Sequence, residues 1–155
     1  MDAEKLRAFA LSLPHVVETR QWGDNLVLWC GDKAIGGKMF ALLNLDGDGR
    51  GVISYLAGAE HFAELVEIEG IVPAPYFARI FWVAAETWGV HRNPVWEDEI
   101  RAAHGLTFER LPRKVKVVLA LPAGERKKLI AERRKVLAAK EAAKPGKDKK
   151  GKLKG

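Results

Sequence analysis

The stretch Asn25–Leu56, NLVLWCGDKAIGGKMFALLNLDGDGRGVISYL, decides the fold. It holds three apolar runs, NLVLWC (25–30), KMFALLNL (38–45) and GVISYL (51–56), each of strand length and rich in branched or aromatic residues. Gly and Asp punctuate the gaps, and DGDGRG (46–51) reads as the tight connection of a β-hairpin. Calcium is the competing reading, because Asp46 and Asp48 match the first spacing of an EF-hand loop. That loop would place Arg50 at its fifth position and Ala57 where the bidentate Glu belongs, so the hairpin is preferred.

Working outward, DAEKLRAFALSLP (2–14) carries Leu6, Phe9, Ala10 and Leu13 on one helical face and is stopped by Pro14. GAEHFAELVEIEG (58–70) is a second helix running to a stop at Gly70. IVPAPY (71–76) is extended, RIFWVAAE (79–86) is a further strand, and PVWEDEIRAAHGLTFERL (94–111) is a helix entered through Pro94, with acids expected in its first turn. The strands are apolar on both faces, so the sheet needs cover on both: the first two helices on one, later helices or a partner chain on the other. The pattern is α+β: a single compact domain, an antiparallel sheet flanked by helices in the order helix, strands, helix, strands, helix. After Leu121 strong helix formers carry a narrow apolar stripe (Leu129, Ile130, Val136, Leu137) that predicts loose docking. The division is a domain over 1–121, an appended basic helix over 122–143, and a disordered Lys-rich tail over 144–155.

The chain has 155 residues and a net charge of +6, unevenly spread. Residues 1–109 hold 9 Lys and Arg against 16 Asp and Glu, a net −7; residues 110–155 hold 17 against 4, a net +13. An acidic body repels a phosphate backbone, so any electrostatic grip on nucleic acid belongs to the last third. Cys30 is the only cysteine, which excludes an intrachain disulfide and suits a reducing cytoplasm. No apolar stretch approaches the roughly 20 residues that cross a bilayer, and none has the form of a leader.

RLPRKVK (110–116) gathers Arg110, Arg113, Lys114 and Lys116 around Pro112, which starts a helix. With Arg126, Lys127, Arg133 and Arg134 these are the candidate phosphate contacts; a solvated helix surface is the alternative. Trp22 and Trp88 are candidates for base stacking, against packing as buried anchors, while Trp29, Trp82 and Cys30 read as core. No two of the four histidines stand at zinc-binding spacing on a helix. His61 and Glu64, one turn apart, could share a metal, although an exposed polar face is the preferred account of them. GDKAIGGK (31–38) lacks the spacing and the Ser or Thr of a P-loop, and no nucleophile and base stand in recognisable context. No cofactor, metal or catalytic set is therefore expected.

The segments LPHVVETRQWGDNLVLWCGDKAIGGKMFALLNLDGDGRGVISY (13–55) and EGIVPAPYFARIFWVAAE (69–86) resemble the MmcQ/YjbR family in order and spacing. The carriers are LP with Glu18 four residues on, WG, GGKMFALL, and a proline-bearing segment leading into WV. The resemblance spans about residues 2–121. It implies a CyaY-like or double-wing α+β fold and a non-enzymatic DNA-binding role. It also implies a Ser-Tyr pair in the last common helix, where this chain has AHGLTF (103–108). DNA is the expected partner. A protein partner or a homodimer using the sheet face is the alternative, with the basic tail as a solubility or tethering element.

Overall fold

The computed structural model describes residues 1–46 and 51–143. The tip of the expected hairpin, with Asp48 and Arg50, and the Lys-rich tail 144–155 lie outside the described residues.

The described residues form a six-stranded, wholly antiparallel sheet with five α-helices. Helix α1 (Ala3–Leu11) is capped by Asp2, whose carboxylate accepts from the Lys5 amide at 2.8 Å. Strands β1 (Val16–Gln21), β2 (Asn25–Cys30), β3 (Lys38–Asn44) and β4 (Ile53–Leu56) follow as a meander. Helix α2 (Ala59–Leu65) leads to β5 (Ile71–Pro73) and β6 (Trp82–Ala85). Helices α3 (Asn93–Glu109), α4 (Arg113–Leu119) and α5 (Ala123–Ala142) complete the order. The strand order is β1-β2-β3-β4-β6-β5, so β6 lies between β4 and β5. The three strands of Asn25–Leu56 are found where the sequence places them, and β3 and β4 pair as the two arms of a hairpin.

Cross-strand register sorts the side chains into two faces. Glu18–Leu28–Ala41–Tyr55–Val83–Pro73 and Arg20–Leu26–Leu43–Ile53–Ala85–Ile71 run across one face. Here α1 and α3 pack and most members are buried; α2 packs against β5 and β6 and meets α3 through His61 and Glu99. Thr19–Val27–Leu42–Ser54–Ala84–Val72 crosses the other face. On that face Trp29, Met39 and Leu42 are only half-buried. A register shift between Leu28 and Trp29 adds a residue to β3 and lets Phe40 meet His104 of α3 edge-on at 5.4 Å.

The corner joining β2 to β3 depends on glycine. A Cβ on Gly37 would stand 1.9 Å from the Gly31 carbonyl oxygen, so no side chain fits there. Val115 and Leu119 of α4 are buried against this corner, and α5 packs on the one-turn 3-10 segment Lys33–Ile35 beside it. The main packing of the later helices is thus at one end of the sheet rather than across its second face.

Three local expectations need correction, and one strand went unread. The sixth strand begins at Trp82, not Arg79, because Ala78–Ile80 forms a 3-10 turn and Phe81 is left-handed at φ +62°. Helix α2 ends at Leu65 rather than near Gly70, whose φ of +91° turns the chain into β5. The first turn of α3 contains no acid; Glu97, Asp98 and Glu99 fall in the second. Val16–Gln21 is a strand that the apolar pattern did not reveal, since it reads VVETRQ and only Val16 and Val17 are apolar.

Candidate functional site

The basic residues divide into those the fold uses and those it leaves free. Lys116 Nζ donates to the Glu109 carbonyl at 2.8 Å, closing the end of α3, and lies 5.8 Å from the Phe108 ring centre. Arg126 donates to the Leu121 carbonyl at 2.9 Å. Arg134 Nε donates to Asp32 Oδ2 at 2.8 Å, and its Nη2 joins the same oxygen. Asp32 is buried, and its Oδ1 accepts from the Ala34 amide, so this pair pins α5 to the Lys33–Ile35 turn. By contrast Arg110, Arg113, Lys114, Lys127 and Arg133 are exposed and have no carboxylate partner among the described residues. Helix α5 buries no residue along its 20 positions. Such a helix keeps its charged face in water.

The two stacking candidates differ. Trp22 is 59% exposed, in the β1–β2 turn at φ +52°. It lies at the opposite end of β2 from the corner that α4 caps, about 17–20 Å away for six extended residues. Trp88 packs against the buried Trp96 ring at 5.2 Å and its carbonyl accepts from the Trp96 indole at 2.9 Å. It therefore serves as a wall of the Trp96 pocket. Trp82 and Cys30 are buried as expected, and burial pushes the Cys30 thiol up to about 11. His104 and Thr107, in the AHGLTF stretch, face inward; His104 Nε2 donates to the Pro14 carbonyl at 2.8 Å and so holds the start of β1 to α3.

A second constellation was not expected from the sequence. Glu99 of α3 is buried beneath the sheet. Its Oε1 accepts from the Tyr55 hydroxyl of β4 at 2.7 Å, and its Oε2 accepts from His61 Nε2 of α2 at 2.6 Å. His91, just before α3, brings its Nε2 to 3.5 Å from the Tyr55 hydroxyl and 3.9 Å from Glu99 Oε1. His61 Nδ1 faces Glu64 at 3.5 Å. Burial is the largest single influence on His61 and pushes it down, but Glu99 and then Glu64 together outweigh it, so His61 stands above the ordinary histidine value. Burial holds His91 below it, and burial with the Glu99 charge keeps the Tyr55 hydroxyl a neutral donor. The signal was legible in α3: Trp96, Glu99, Ile100, Ala103, His104 and Thr107 form one buried stripe at helical spacing, and Glu99 is its charged member.

His61 and Glu64 do come together, but among the described residues no group of three or more His, Cys, Asp or Glu is placed to hold a metal ion. A shallow groove of about 460 Å³ lies between α1 and β1, lined by Arg7, Glu18, Arg20, Leu26 and Leu43 among others. Its arginines are engaged, Arg7 with Glu18 and Arg20 with Asp24, both at 2.6 Å. Among the described residues no helix is long and apolar enough to cross a membrane.

Helices on one side of an open antiparallel sheet, with a charged pair of helices added at the sheet's end, define an α+β domain of the kind the Asn25–Leu56 pattern announces. The chain belongs to the YjbR family, whose model matches residues 11–106. It is similar in fold to a Deinococcus radiodurans protein, DR2400, a DUF419 domain: the crystal structure superposes with a TM-score of 0.67 at 23% identity, covering 78% of this chain and 89% of that one. No curated protein matches the sequence. Arg110 and helices α4 and α5, which carry the free cations, follow the stretch that the family model matches.

Proposed function

We propose that the protein binds DNA without catalysing a reaction on it, through phosphate contacts from the α4–α5 surface. The observation that carries this reading is the set of exposed cations, Arg110, Arg113, Lys114, Lys127 and Arg133, left without carboxylate partners among the described residues and gathered at one end of a body in which Arg7, Arg20 and Arg101 are paired. Unpaired cations held on helices can release condensed counterions from a phosphate backbone, which gives affinity without base readout. Lys116, Arg126 and Arg134 support this surface by fixing its helices. The single cysteine suits a reducing, cytoplasmic setting.

The test is fluorescence anisotropy of a short labelled duplex across a salt series. The quadruple variant Arg110→Ala, Arg113→Ala, Lys114→Ala, Arg133→Ala is compared with a chain ending at Ala143. Removal of residues 144–155 takes away six Lys and one Asp, a net loss of five charges against four. A helical phosphate site makes the quadruple variant the weaker binder, with its log–log salt slope shallower by about 3 to 4. If the truncated chain alone loses binding, the helices are not the DNA surface.

A second reading rests on the sheet's second face, where Val17, Trp29, Met39 and Leu42 are half-buried, with no long helix of the described residues packed across them. That face would take a protein partner or a second copy. Binding to protein that survives removal of the α4–α5 cations and shows little salt dependence would favour it.

A further inference from the structure

The Glu99 network joins three parts of the fold that are distant in sequence: β4 through Tyr55, α2 through His61 and α3 through Glu99 itself. Glu99 is a buried carboxylate and cannot rely on water for its charge. Its neighbours are Tyr55 from β4, His91 from the segment before α3, and His61 from α2, with Glu64 of α2 behind His61. Tyr55 donates a neutral hydrogen bond, and His91 is buried against the Trp96 ring at 4.8 Å. His61 is the partly exposed member, its side chain 38% accessible, and so can exchange a proton with solvent. A positive charge opposite Glu99 therefore comes and goes at His61.

Helix α2 has little else of this strength. It spans seven residues, its N-cap Gly58 supplies no side-chain cap, and Leu65 is its only fully buried residue. Its outer aromatic, Phe62, meets Phe81 edge-on at 5.7 Å. Phe81 is left-handed, and its carbonyl accepts from the Ala57 amide at 2.9 Å and the Gly58 amide at 3.3 Å, directly before α2 begins. Phe81 closes a surface segment in which Val72, Tyr76 and Ile80 are also exposed; Tyr76, at 86%, is the most exposed large apolar side chain among the described residues. Arg79 is the only charge between Ile71 and Ala85. The seat of α2 thus sets how this apolar segment is held.

We propose that the His61–Glu99 pair is a proton-operated clasp: protonated, it holds α2 on α3 and keeps the Phe62–Phe81 contact closed; deprotonated, it lets α2 loosen and makes the Tyr76–Phe81 segment mobile. The direction of the titration agrees. A histidine whose folded value is raised contributes stability that is complete below its unfolded value, near 6.5, and is lost as pH rises through the folded value. The clasp is closed in mild acid and opens towards alkaline pH. His91, held low by burial, is neutral through that window and does not replace the lost charge.

The experiment is NMR on the full chain from pH 5 to 9, reading the His61 imidazole shifts and the amide exchange of α2 in the same samples. Exchange is expressed as protection relative to α1, which removes the intrinsic pH dependence. Protection at the Phe62 and Val66 amides should fall by about threefold or more between pH 6 and 9, with a midpoint equal to that of His61. His61→Gln keeps a donor for Glu99 but no titration, so its α2 protection should be flat with pH. Glu64→Gln, at the exposed end, should keep the fall and move its midpoint down slightly. The proposal is overturned if His61 titrates at or below the ordinary histidine value, or if α2 protection in the parent changes with pH no more than in His61→Gln.

Discussion

The body of the domain ties several of its charged side chains into pairs, while its C-terminal helices gather many cations and pair few of them. In the body Arg7 lies on Glu18, Arg20 on Asp24, Arg101 on Asp98 and His61 on Glu99. In α4 and α5 most cations face water alone, and among the described residues only Arg134 reaches back to a body carboxylate, Asp32. Positions in the body are tied on several sides; positions in the helical arm are tied on one. Substitutions in the body should therefore act on stability, and those in the arm on association.

The sharpest test is Gly37→Ala. Its Cβ would collide with the Gly31 carbonyl, and the corner that α4 caps cannot open without unseating Val115 and Leu119. A loss of about 3 kcal/mol or more, read by urea unfolding, is expected. Glu99→Ala should follow, at roughly 2 to 3 kcal/mol at pH 6, because it leaves the buried Tyr55 hydroxyl without its acceptor and His61 without its carboxylate.

Arg134→Ala probes the seam between the two regions. It strands the buried Asp32, but Arg134 is itself mostly exposed, so roughly 1 kcal/mol is expected, with increased amide exchange in α5 before α3 is affected. If α3 exchanges together with α5, the arm is part of the body's cooperative unit and the contrast fails.

The Arg7–Glu18 pair should contribute less, since both side chains are partly in water and solvent screens the pair. The hydrogen bond from Arg7 holds the Glu18 carboxyl below its ordinary value, so its contribution is present at neutral pH and is lost as pH falls through the folded value. Urea titrations below pH 5 should show the parent losing more stability than Glu18→Gln. Smallest of all, Arg133→Ala should change stability by no more than about 0.5 kcal/mol while weakening duplex binding. A large stability change there would place Arg133 in the body's class.

Most of the framework was legible because long apolar runs punctuated by Gly, Asp and Pro declare themselves: β2, β3, β4, α1, α3 and α5 lie where the pattern places them. The local misses share a cause. Strand β1 alternates polar residues that only its pairing with β2 organises, and Phe81 leaves the strand region because the turn before β6 requires it. The basic cluster was visible as composition, but which of its members are free depends on contacts such as Asp32 with Arg134, 102 residues apart. The Glu99 network depends likewise on separations of 44 and 38 residues, although the helical stripe of α3 pointed at one end of it.

The strand order has a consequence for synthesis. Strands β1 to β4 join their neighbours by short connections and can pair as the chain leaves the ribosome. Strand β5 emerges next but pairs only with β6, and β6 is also the strand that covers the outer edge of β4. Until Ala85 is out, the nascent sheet therefore presents an open edge at β4 and leaves β5 without its partner. A chain stalled before Trp82 should be the species most exposed to edge-to-edge association, and its hazard ends when a single four-residue strand slides into place.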